Sequence, residues 1–365
     1  MKLKPQPLAP SSIAGETLHT VSAPAPKKYI MPCVYGSVEK PVADEQLEEL
    51  HSPKEIKLRR INDVIFLRNH VALSEDSEVL KYTFLRGRWK HHGGVMRLKQ
   101  EKELYKLKVN ANLDVRIQID EPVYWADSDK PDVYGHVLLE TIPTLWGLDY
   151  FDKDIKVVTS TKRSRSYLRM FEAMGVKQDR IIHLDYPAVA KDAIFPSLPV
   201  VRRTWVHPKA WEAFEKLKDI GKDGNAPKME RVYLSRKNLV DPDRPLMNER
   251  EVEAIFEEFG FTIIHPQDLT IEDQIRIYSN AKMIAGCGGS ATHNALFAPR
   301  DAKVLIVCSA GWLVNADMLL SQVEGRLGYV FGQPTTMREI GHRTQSAWSV
   351  SSQDVRAAIK RHFDL

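Results

Sequence analysis

The sequence predicts an α/β protein of two domains built on parallel sheets. Residues 155–184 and 231–308 alternate short apolar runs with amphipathic helical patterns, as repeated βαβ units do. Residues 221–228 are polar and contain glycine, which predicts a hinge. A length of 365 residues lets two domains each bury a core. We therefore predict an N-terminal α/β domain over residues 29–220 and a C-terminal Rossmann-like domain over residues 229–345.

The chain begins with a segment unlike the rest. Residues 1–28 contain five prolines among small polar residues, which predicts an extended arm or disorder. Neither this segment nor any later one has the apolar run of a signal peptide or a membrane span. The three cysteines form no C-x-x-C pair, which favours a reducing compartment. We expect a cytoplasmic protein, soluble or peripheral at the inner face of the cytoplasmic membrane.

The overall composition is that of an ordinary globular protein, with 43% hydrophobic and 27% charged residues. The formal net charge of +4 is compatible with an anionic small molecule, glycan or membrane surface. It does not require nucleic acid, and we expect none as a partner.

A helix is predicted over residues 134–146, with an interruption or kink at Pro143. Its apolar positions cover most of the helical wheel and leave one narrow polar stripe that includes His136 and Glu140. A carboxylate four residues from an imidazole can orient the ring, as in a catalytic acid–base pair. The alternative is a solvent-facing helix pair without a catalytic role.

Strand and helix signals then alternate through the C-terminal half. Residues 231–236 alternate as a strand does and place Ser235 and Arg236 at its carboxyl end, where open α/β sheets bind ligands. Arginine can hold a phosphate through two hydrogen bonds. Helices are predicted from Asn248 and from Thr270, and a further helix over residues 312–323 carries Asn315 and Asp317.

A glycine turn follows the apolar residues 283–285. Gly286, Gly288 and Gly289 permit a tight turn, and residues 290–297 are predicted to form the next helix. Backbone amides at such a helix N-terminus attract anions. The sequence therefore predicts a phosphate-carrying ligand.

Two other interpretations of this turn remain open. The spacing Gly286-x-Gly288-x-x-Ala291 fits a dinucleotide fingerprint, but it does not follow the first strand of its domain and no acidic residue follows the next strand. An NAD(P)-dependent oxidoreductase is therefore the third hypothesis. The turn could also be purely structural.

The ordered motifs Tyr-Leu-Ser-Arg236, Asn248-Glu-x-Glu-Val, Gly-Phe, Gln274-Ile and a glycine turn ending in Asn294-x-Leu-Phe-x-Pro resemble glycosyltransferase family 61, formerly domain of unknown function 563. The stretch His136-x-Leu-Leu-Glu-x-Ile-Pro is similar to another motif of that family. The chain departs from the family at Gly288, where the family has histidine, and at His293, where it has threonine. Arg236, Asn248, Glu249, Gln274, Gly289 and Asn294 match.

The resemblance implies an inverting, metal-independent enzyme of GT-B type, with two Rossmann-like domains facing a cleft. It implies a nucleoside-diphosphate sugar as donor, no separate cofactor, and a glycan or lipid-linked acceptor in surface polysaccharide synthesis. In the C-terminal domain Asp241-Pro-Asp243 is the only Asp-x-Asp spacing, and its prolines predict a turn and not a metal site. By analogy with such enzymes, the helix in residues 346–365 would pack back on the first domain.

The candidate catalytic residues are His136 as general base and Glu140 as its orienting carboxylate. The candidate donor and phosphate contacts are Ser235, Arg236, Asn248, Glu249, Gln274, Gly288, Gly289, Ser290, Ala291, His293 and Asn294. The main rival hypothesis is a non-catalytic protein of the same fold that binds a sugar nucleotide or a glycan. The residues do not specify the donor sugar, the nucleotide base, the acceptor or the oligomeric state.

Overall fold

A computed structural model describes, in full or for the backbone alone, residues 7–8, 11–38, 53–80, 91–92, 96–99, 104–107, 114–201, 204–239, 244–313, 316–335 and 346–365. The turn predicted at Asp241-Pro-Asp243 and the side chain of Asn315 lie outside the described residues. Within the described residues, no helix has the length and apolar character needed to cross a bilayer.

The strands of the described residues are, in chain order, β1 (Pro7–Leu8), β2 (Glu16–Val21), β3 (Cys33–Tyr35), β4 (Ile56–Leu67), β5 (Val71–Leu73), β6 (His91–His92), β7 (Met96–Lys99), β8 (Leu104–Leu107), β9 (Ile117–Ile119), β10 (Val123–Trp125), β11 (Lys156–Thr159), β12 (Ile181–His183), β13 (Ala188–Pro196), β14 (Val200–Val201), β15 (Trp205–Val206), β16 (Arg231–Leu234), β17 (Thr262–Ile264), β18 (Met283–Cys287), β19 (Lys303–Ser309), β20 (Leu327–Pro334) and β21 (Trp348–Ser349).

The α-helices of the same residues are α1 (Tyr134–His136), α2 (Arg165–Ala173), α3 (Lys209–Lys218), α4 (Glu249–Glu258), α5 (Ile271–Asn280), α6 (Ala316–Leu320) and α7 (Ser352–Phe363). A π-helix covers Val137–Thr141, and 3-10 helices cover Ile142–Tyr150, Gln178–Arg180, Asp219–Asp223, Pro266–Asp268 and Thr292–Phe297.

The chain divides into two compact units, and each is made of separated segments. Unit 1 takes its described residues from the segments 1–24, 54–201 and 207–213, and unit 2 takes its own from the segments 25–53, 202–206 and 214–365. The sequence predicted two consecutive domains with a break at residues 221–228. The observed units differ because the chain enters unit 2 at residue 25 and returns to unit 1 at residue 54.

Unit 1 contains a mixed sheet of strand order β12-β11-β10-β13-β4-β2, with β5 beside β4 and β9 beside β13. The strands from β12 to β13 are parallel, whereas β4 is antiparallel to β13, β2 and β5. The predicted alternation over residues 155–184 is confirmed as β11, α2 and β12. Phe66, Trp125 and Phe195 lie in the buried core of this sheet. A second sheet, β1-β8-β7-β6, is antiparallel.

The predicted arm of residues 1–28 is partly ordered. β2 pairs antiparallel with β4, with Glu16 opposite Arg60 and Val21 opposite Ile56. The proline content identified an extended chain, and the free edge of β4 supplies the hydrogen-bonding partner that turns part of it into a strand.

Unit 2 contains a sheet of strand order β17-β16-β18-β19-β20-β21, with β3 beside β20. All of these pairs are parallel except that of β20 with β21. The helices α4 and α5 connect β16 to β17 and β17 to β18, as the alternation predicted. The parallel sheets of both units are compatible with Rossmann-like folds.

The last helix, which the analogy placed against the first domain, packs in unit 2. Val355, Ala358, Ile359 and Phe363 of α7 lie in one buried cluster with the α4 side chain Phe256. The apolar positions of α7 repeat at intervals of three and four residues and so form one face, which covers the sheet.

The predicted hinge at residues 221–228 is bound to α5. The Asp273 carboxylate accepts hydrogen bonds from the backbone N–H groups of Asn225 and Ala226, each at 2.7 Å. A Cβ atom at Gly224 would lie 2.6 Å from the Glu272 carbonyl oxygen. Glycine in this segment therefore permits close packing and does not mark a flexible joint.

Candidate functional site

In unit 1 a group of buried ionisable residues follows the carboxyl end of β10. The Asp127 carboxylate accepts hydrogen bonds from the backbone N–H of His70 at 2.9 Å, the backbone N–H of Ser160 at 3.1 Å and the Ser160 hydroxyl at 2.5 Å. His70 lies between β4 and β5, and Ser160 follows β11. Asp127 thus ties three segments together. Burial raises the pKa of Asp127 to about 6, although these hydrogen bonds oppose the rise.

The helix predicted over residues 134–146 forms as three successive helical types. α1 passes into the π-helix Val137–Thr141 and then into the 3-10 helix Ile142–Tyr150. Pro143 lies in the first turn of the 3-10 helix, where it has no N–H to continue the α-helical ladder. π-Helical turns of this kind are rare and occur frequently at functional sites.

The His136 imidazole contacts two carboxylates, and we call Asp129, His136 and Glu140 the histidine cluster. His136 Nδ1 lies 2.8 Å from Asp129 Oδ1 and 2.9 Å from Glu140 Oε2. The pairing with Glu140 agrees with the predicted spacing. All three side chains are buried, and His136 is 6% exposed. The alternative of a solvent-facing helix pair is therefore wrong.

The histidine cluster has a definite chemical capacity. An Nδ1–H group holds one hydrogen and can orient toward either carboxylate, and both carboxylates stabilise an imidazolium. One nitrogen and two oxygens within 4.8 Å of one another also form a donor set that a divalent metal ion accepts.

Sequence reasoning missed Asp129. From the sequence, no strand was predicted over residues 121–132, whereas Val123–Trp125 forms the strand β10, in the parallel part of the sheet. The apolar run before Asp127-Ser-Asp129 was the available signal, since polar residues that follow a buried parallel strand lie at the ligand-binding edge.

In unit 2 the neighbouring strands β16 and β18 bring Arg236 to the glycine turn, which we define as residues 286–289. Arg236 Nη1 donates a hydrogen bond to the Gly288 carbonyl oxygen at 3.2 Å. The Gly288 N–H donates to the Val307 carbonyl at 2.9 Å. The prediction that the Gly288 amide binds phosphate is therefore wrong, because the sheet already uses that donor.

The glycines of the turn serve packing more than conformation, since none of the three has a positive φ. A Cβ at Gly286 would lie 2.7 Å from Leu234 Cβ, and one at Gly288 would lie 3.1 Å from Cys308 Sγ. A Cβ at Gly289 would meet nothing nearer than Arg236 Nη1 at 3.8 Å. The space beside Gly289 is thus bordered by the Arg236 guanidinium.

The residues after the turn form the 3-10 helix Thr292–Phe297 in place of the predicted α-helix over residues 290–297. Ser290 and Ala291 are half-buried at its start. The Tyr278 hydroxyl donates to the Ala291 carbonyl at 3.3 Å. A six-residue 3-10 helix aligns few peptide dipoles, so the predicted attraction of a helix N-terminus for phosphate is weak here.

Ser235 and Glu249 take part in a group of hydrogen bonds at the end of β16. Glu249 Oε1 accepts the backbone N–H of Arg236 at 2.6 Å, and the Ser235 hydroxyl donates to Glu253 Oε1 at 2.5 Å. Burial raises the pKa of Glu249, and the Arg236 N–H opposes the rise. Two buried carboxylates repel a diphosphate, so these residues position Arg236 in preference to contacting phosphate.

Three other predicted contacts have protein partners. The Asn248 side chain donates to the Val350 carbonyl at 2.9 Å. Gln274 Nε2 donates to the Pro266 carbonyl at 2.7 Å, and Gln274 Oε1 accepts from Asn294 Nδ2 at 3.1 Å. The last bond joins α5 to the 3-10 helix that follows the glycine turn.

His293 is paired with a carboxylate that sequence reasoning did not connect to it. His293 Nδ1 lies 2.7 Å from Asp317 Oδ1, and both side chains are buried. The predicted helix over residues 312–323 is observed as the shorter α6, which carries Asp317. No sequence signal joins the two residues, because they lie on different elements.

A model of the family described as Glycosyltransferase 61 matches residues 134–305. The match begins at α1 and ends within β19, so it includes His136, Glu140 and the glycine turn. Asp129 and Asp317 lie outside the matched residues. No curated protein matches the chain.

Proposed function

The chain belongs to glycosyltransferase family 61, and from this membership we propose that it is an inverting, metal-independent glycosyltransferase that uses a nucleoside-diphosphate sugar. The acceptor in this proposal is a glycan or a lipid-linked glycan of a surface polysaccharide. The two α/β units would act as donor-side and acceptor-side domains in a GT-B arrangement. The observation that carries the proposal is the buried histidine cluster, of which His136 and Glu140 lie within the matched residues.

His136 acts in this proposal as the general base. A neutral imidazole accepts the proton of the attacking acceptor hydroxyl, and Glu140 and Asp129 stabilise the imidazolium that results. The direct contacts of 2.8 and 2.9 Å orient the ring through Nδ1, and we assign the proton transfer to Nε2.

Arg236 is the proposed clamp for the diphosphate of the donor. Its guanidinium donates a hydrogen bond to the Gly288 carbonyl oxygen and borders the space beside Gly289, which has no side chain to fill it. A guanidinium matches phosphate oxygens and offsets the charge that develops on the leaving group. Ser235, Glu249, Gln274 and Asn294 support this arrangement from the protein side.

The first test is a thermal-shift screen of the native protein with nucleoside diphosphates, their sugars and NAD(P), followed by an assay of sugar transfer and donor hydrolysis. A ligand that binds the folded state raises the melting temperature by mass action. We expect one nucleoside diphosphate and its sugars to shift the melting temperature, with turnover. Binding without any turnover would favour the non-catalytic protein, and a response to NAD(P) alone would favour the oxidoreductase.

His136→Ala tests the assigned base. We expect turnover to fall by about 10²–10⁴-fold, while the affinity for the nucleoside diphosphate stays within a factor of two to three. His183→Ala is a matched control, because His183 is a half-buried histidine of unit 1 outside the histidine cluster. Full turnover in a folded His136→Ala protein would remove this residue from the role.

A further inference from the structure

A second histidine–carboxylate pair lies directly after the glycine turn. His293 Nδ1 contacts Asp317 Oδ1 at 2.7 Å, and the Thr292 hydroxyl lies 2.9 Å from Asp317 Oδ2. The same hydroxyl lies 2.7 Å from the Gly289 carbonyl oxygen. Asp317 therefore fixes the imidazole through Nδ1, and Thr292 links the pair to the backbone that borders Arg236.

The two oxygens of the Asp317 carboxylate have different partners, since Oδ1 contacts His293 and Oδ2 contacts Thr292. Both members of the pair are buried, with His293 4% and Asp317 5% exposed. The contact with Asp317 Oδ1 orients the His293 ring. The turn that Arg236 contacts is therefore followed by a histidine whose ring is held in place by a carboxylate.

Other ionisable groups near the pair do not change charge near neutral pH. The elements packed against the helix of His293 contribute Tyr278 from α5, Cys287 from β18 and Arg326, whose Nη2 donates to the Ala295 carbonyl at 2.8 Å. Burial raises the pKa of Tyr278 and of Cys287, so both stay neutral.

Further ionisable groups face Asp317 itself. They are the hydroxyls of Tyr29 and Tyr329 and the Cys308 thiol, and burial raises the pKa of each of the three. These groups also stay neutral. Among the described residues, Asp317 is the charged group in direct contact with the His293 ring.

We propose that His293, positioned by Asp317, is the proton donor to the departing nucleoside diphosphate. The inference rests on the proposed glycosyltransferase function. As the bond between the anomeric carbon and the phosphate oxygen breaks, its electron pair stays on that oxygen, and the proton of His293 Nε2 moves to it. The acceptor hydroxyl loses its proton to His136, so one proton enters the protein and one leaves it, and solvent restores both histidines.

The proposal predicts that diphosphate binding depends on pH. An imidazolium attracts the diphosphate and a neutral ring does not, so we expect the affinity to be higher at low pH than at high pH. The probe is the one of UDP, GDP, CDP, ADP and dTDP that the native full-length protein binds, measured by isothermal titration calorimetry between pH 5.5 and 8.5 at constant ionic strength. We expect the native affinity to fall about tenfold over this range.

Three variants locate the effect. His293→Gln should bind the same nucleotide more weakly at low pH and lose most of the pH dependence. Asp317→Asn should bind the same nucleotide more weakly than the native protein, because the His293 ring loses the carboxylate that positions it. His183→Gln, in unit 1, should retain the native profile. Thermal unfolding of each variant shows that it is folded.

In the transfer assay, the native protein should have a bell-shaped dependence of kcat on pH. His293→Gln should lose the descending limb at high pH and keep the ascending limb that a general base produces. Asp317→Glu should restore more of the native high-pH limb than Asp317→Asn, because it restores the charge.

The two levels of the hypothesis fail differently. If the native protein binds none of the nucleoside diphosphates, the proposed function fails and the inference with it. If a nucleotide binds and sugar is transferred, but the affinity and the high-pH limb are the same in the native protein and His293→Gln, the role of His293 is overturned and the proposed function stands. The role of His293 would also be overturned if the native protein bound the nucleotide with the same affinity at every pH in this range.

Discussion

Asp127 is a residue whose burial has a measurable cost. Among the described residues, its carboxylate accepts hydrogen bonds from N–H and hydroxyl groups of His70 and Ser160, and no cation contacts it. These donors stabilise the charged form without matching the hydration that it loses. The raised pKa of about 6 is the result of that imbalance.

The stability of unit 1 should therefore depend on pH through Asp127. The folded protein holds a proton on this group up to about pH 6, whereas the unfolded chain releases it near the reference value of 3.8. The contribution of Asp127 to the free energy of unfolding is thus greatest below pH 4 and falls as pH rises to 6, by about 3 kcal/mol. Urea unfolding of the native protein and of Asp127→Asn between pH 4 and 7 measures this change.

Asp127→Asn cannot titrate, so the difference between the two unfolding free energies isolates the carboxyl group. We expect the variant to be the less stable protein at pH 4, because its amide N–H₂ faces N–H donors, and the gap to narrow toward pH 7. A gap that stays constant across this range would show that Asp127 has an unshifted pKa.

At the scale of elements, the glycine turn joins the packing of two strands to the space proposed for the diphosphate within four residues. Gly286 lies opposite Leu234 in the parallel pairing of β16 with β18. Gly289 follows the end of β18 and borders Arg236. A side chain at Gly286 would therefore disturb the packing of the strands, whereas a side chain at Gly289 would enter the space beside Arg236.

Alanine substitutions test the two glycines separately. Gly286→Ala should destabilise unit 2 by about 1–3 kcal/mol, because the added methyl would lie 2.7 Å from Leu234 Cβ and 3.0 Å from the Leu234 carbonyl oxygen. Gly289→Ala should leave the melting temperature close to the native value and weaken nucleoside diphosphate binding about tenfold. Chemical unfolding measures the stability of both variants, and calorimetric titration measures their affinity for the nucleoside diphosphate. The assignment would be refuted if Gly289→Ala lost stability and Gly286→Ala lost only affinity.

The sequence predicted the elements of unit 2 well, because each strand there is a short apolar run and each helix has one apolar face. It predicted the pairing of His136 with Glu140 because the two residues lie four positions apart in a helical segment. It could not predict contacts that depend on tertiary structure. Asp317 reaches His293 from another element, and Asp129 reaches His136 from a strand end. The 3-10 form of Thr292–Phe297 was also not readable, because its apolar spacing is compatible with an α-helix.

At the scale of the whole molecule, unit 2 depends on a segment that precedes most of unit 1 in the sequence. β3 pairs with β20 and places Tyr35 against α7, where the Tyr35 hydroxyl lies 3.1 Å from His362 Nδ1. The rings of Tyr35 and His362 meet edge to face at 5.6 Å. The Ser37 N–H and hydroxyl both bind the Asp354 carboxylate, at 3.0 and 2.8 Å.

Tyr35→Ala should therefore destabilise unit 2 by about 1–3 kcal/mol. Val34→Ala is the matched control, since Val34 is the neighbouring residue of β3 and its side chain is 38% exposed. We expect amide hydrogen exchange in β20 to accelerate in Tyr35→Ala and not in Val34→Ala. Equal exchange in the two variants would show that β3 does not stabilise the sheet.

The early position of β3 has a consequence for protein synthesis. A ribosome makes Cys33–Tyr35 long before Leu327–Pro334, the strand with which β3 pairs. About 290 residues separate the two, so at ~5–20 residues per second the nascent chain holds β3 without its neighbour for roughly 15–60 s. The other strand of the N-terminal region, β2, finds its partner β4 much sooner. Unit 1 is thus able to form its sheet during translation, whereas unit 2 completes its edge only when the C-terminal region has emerged.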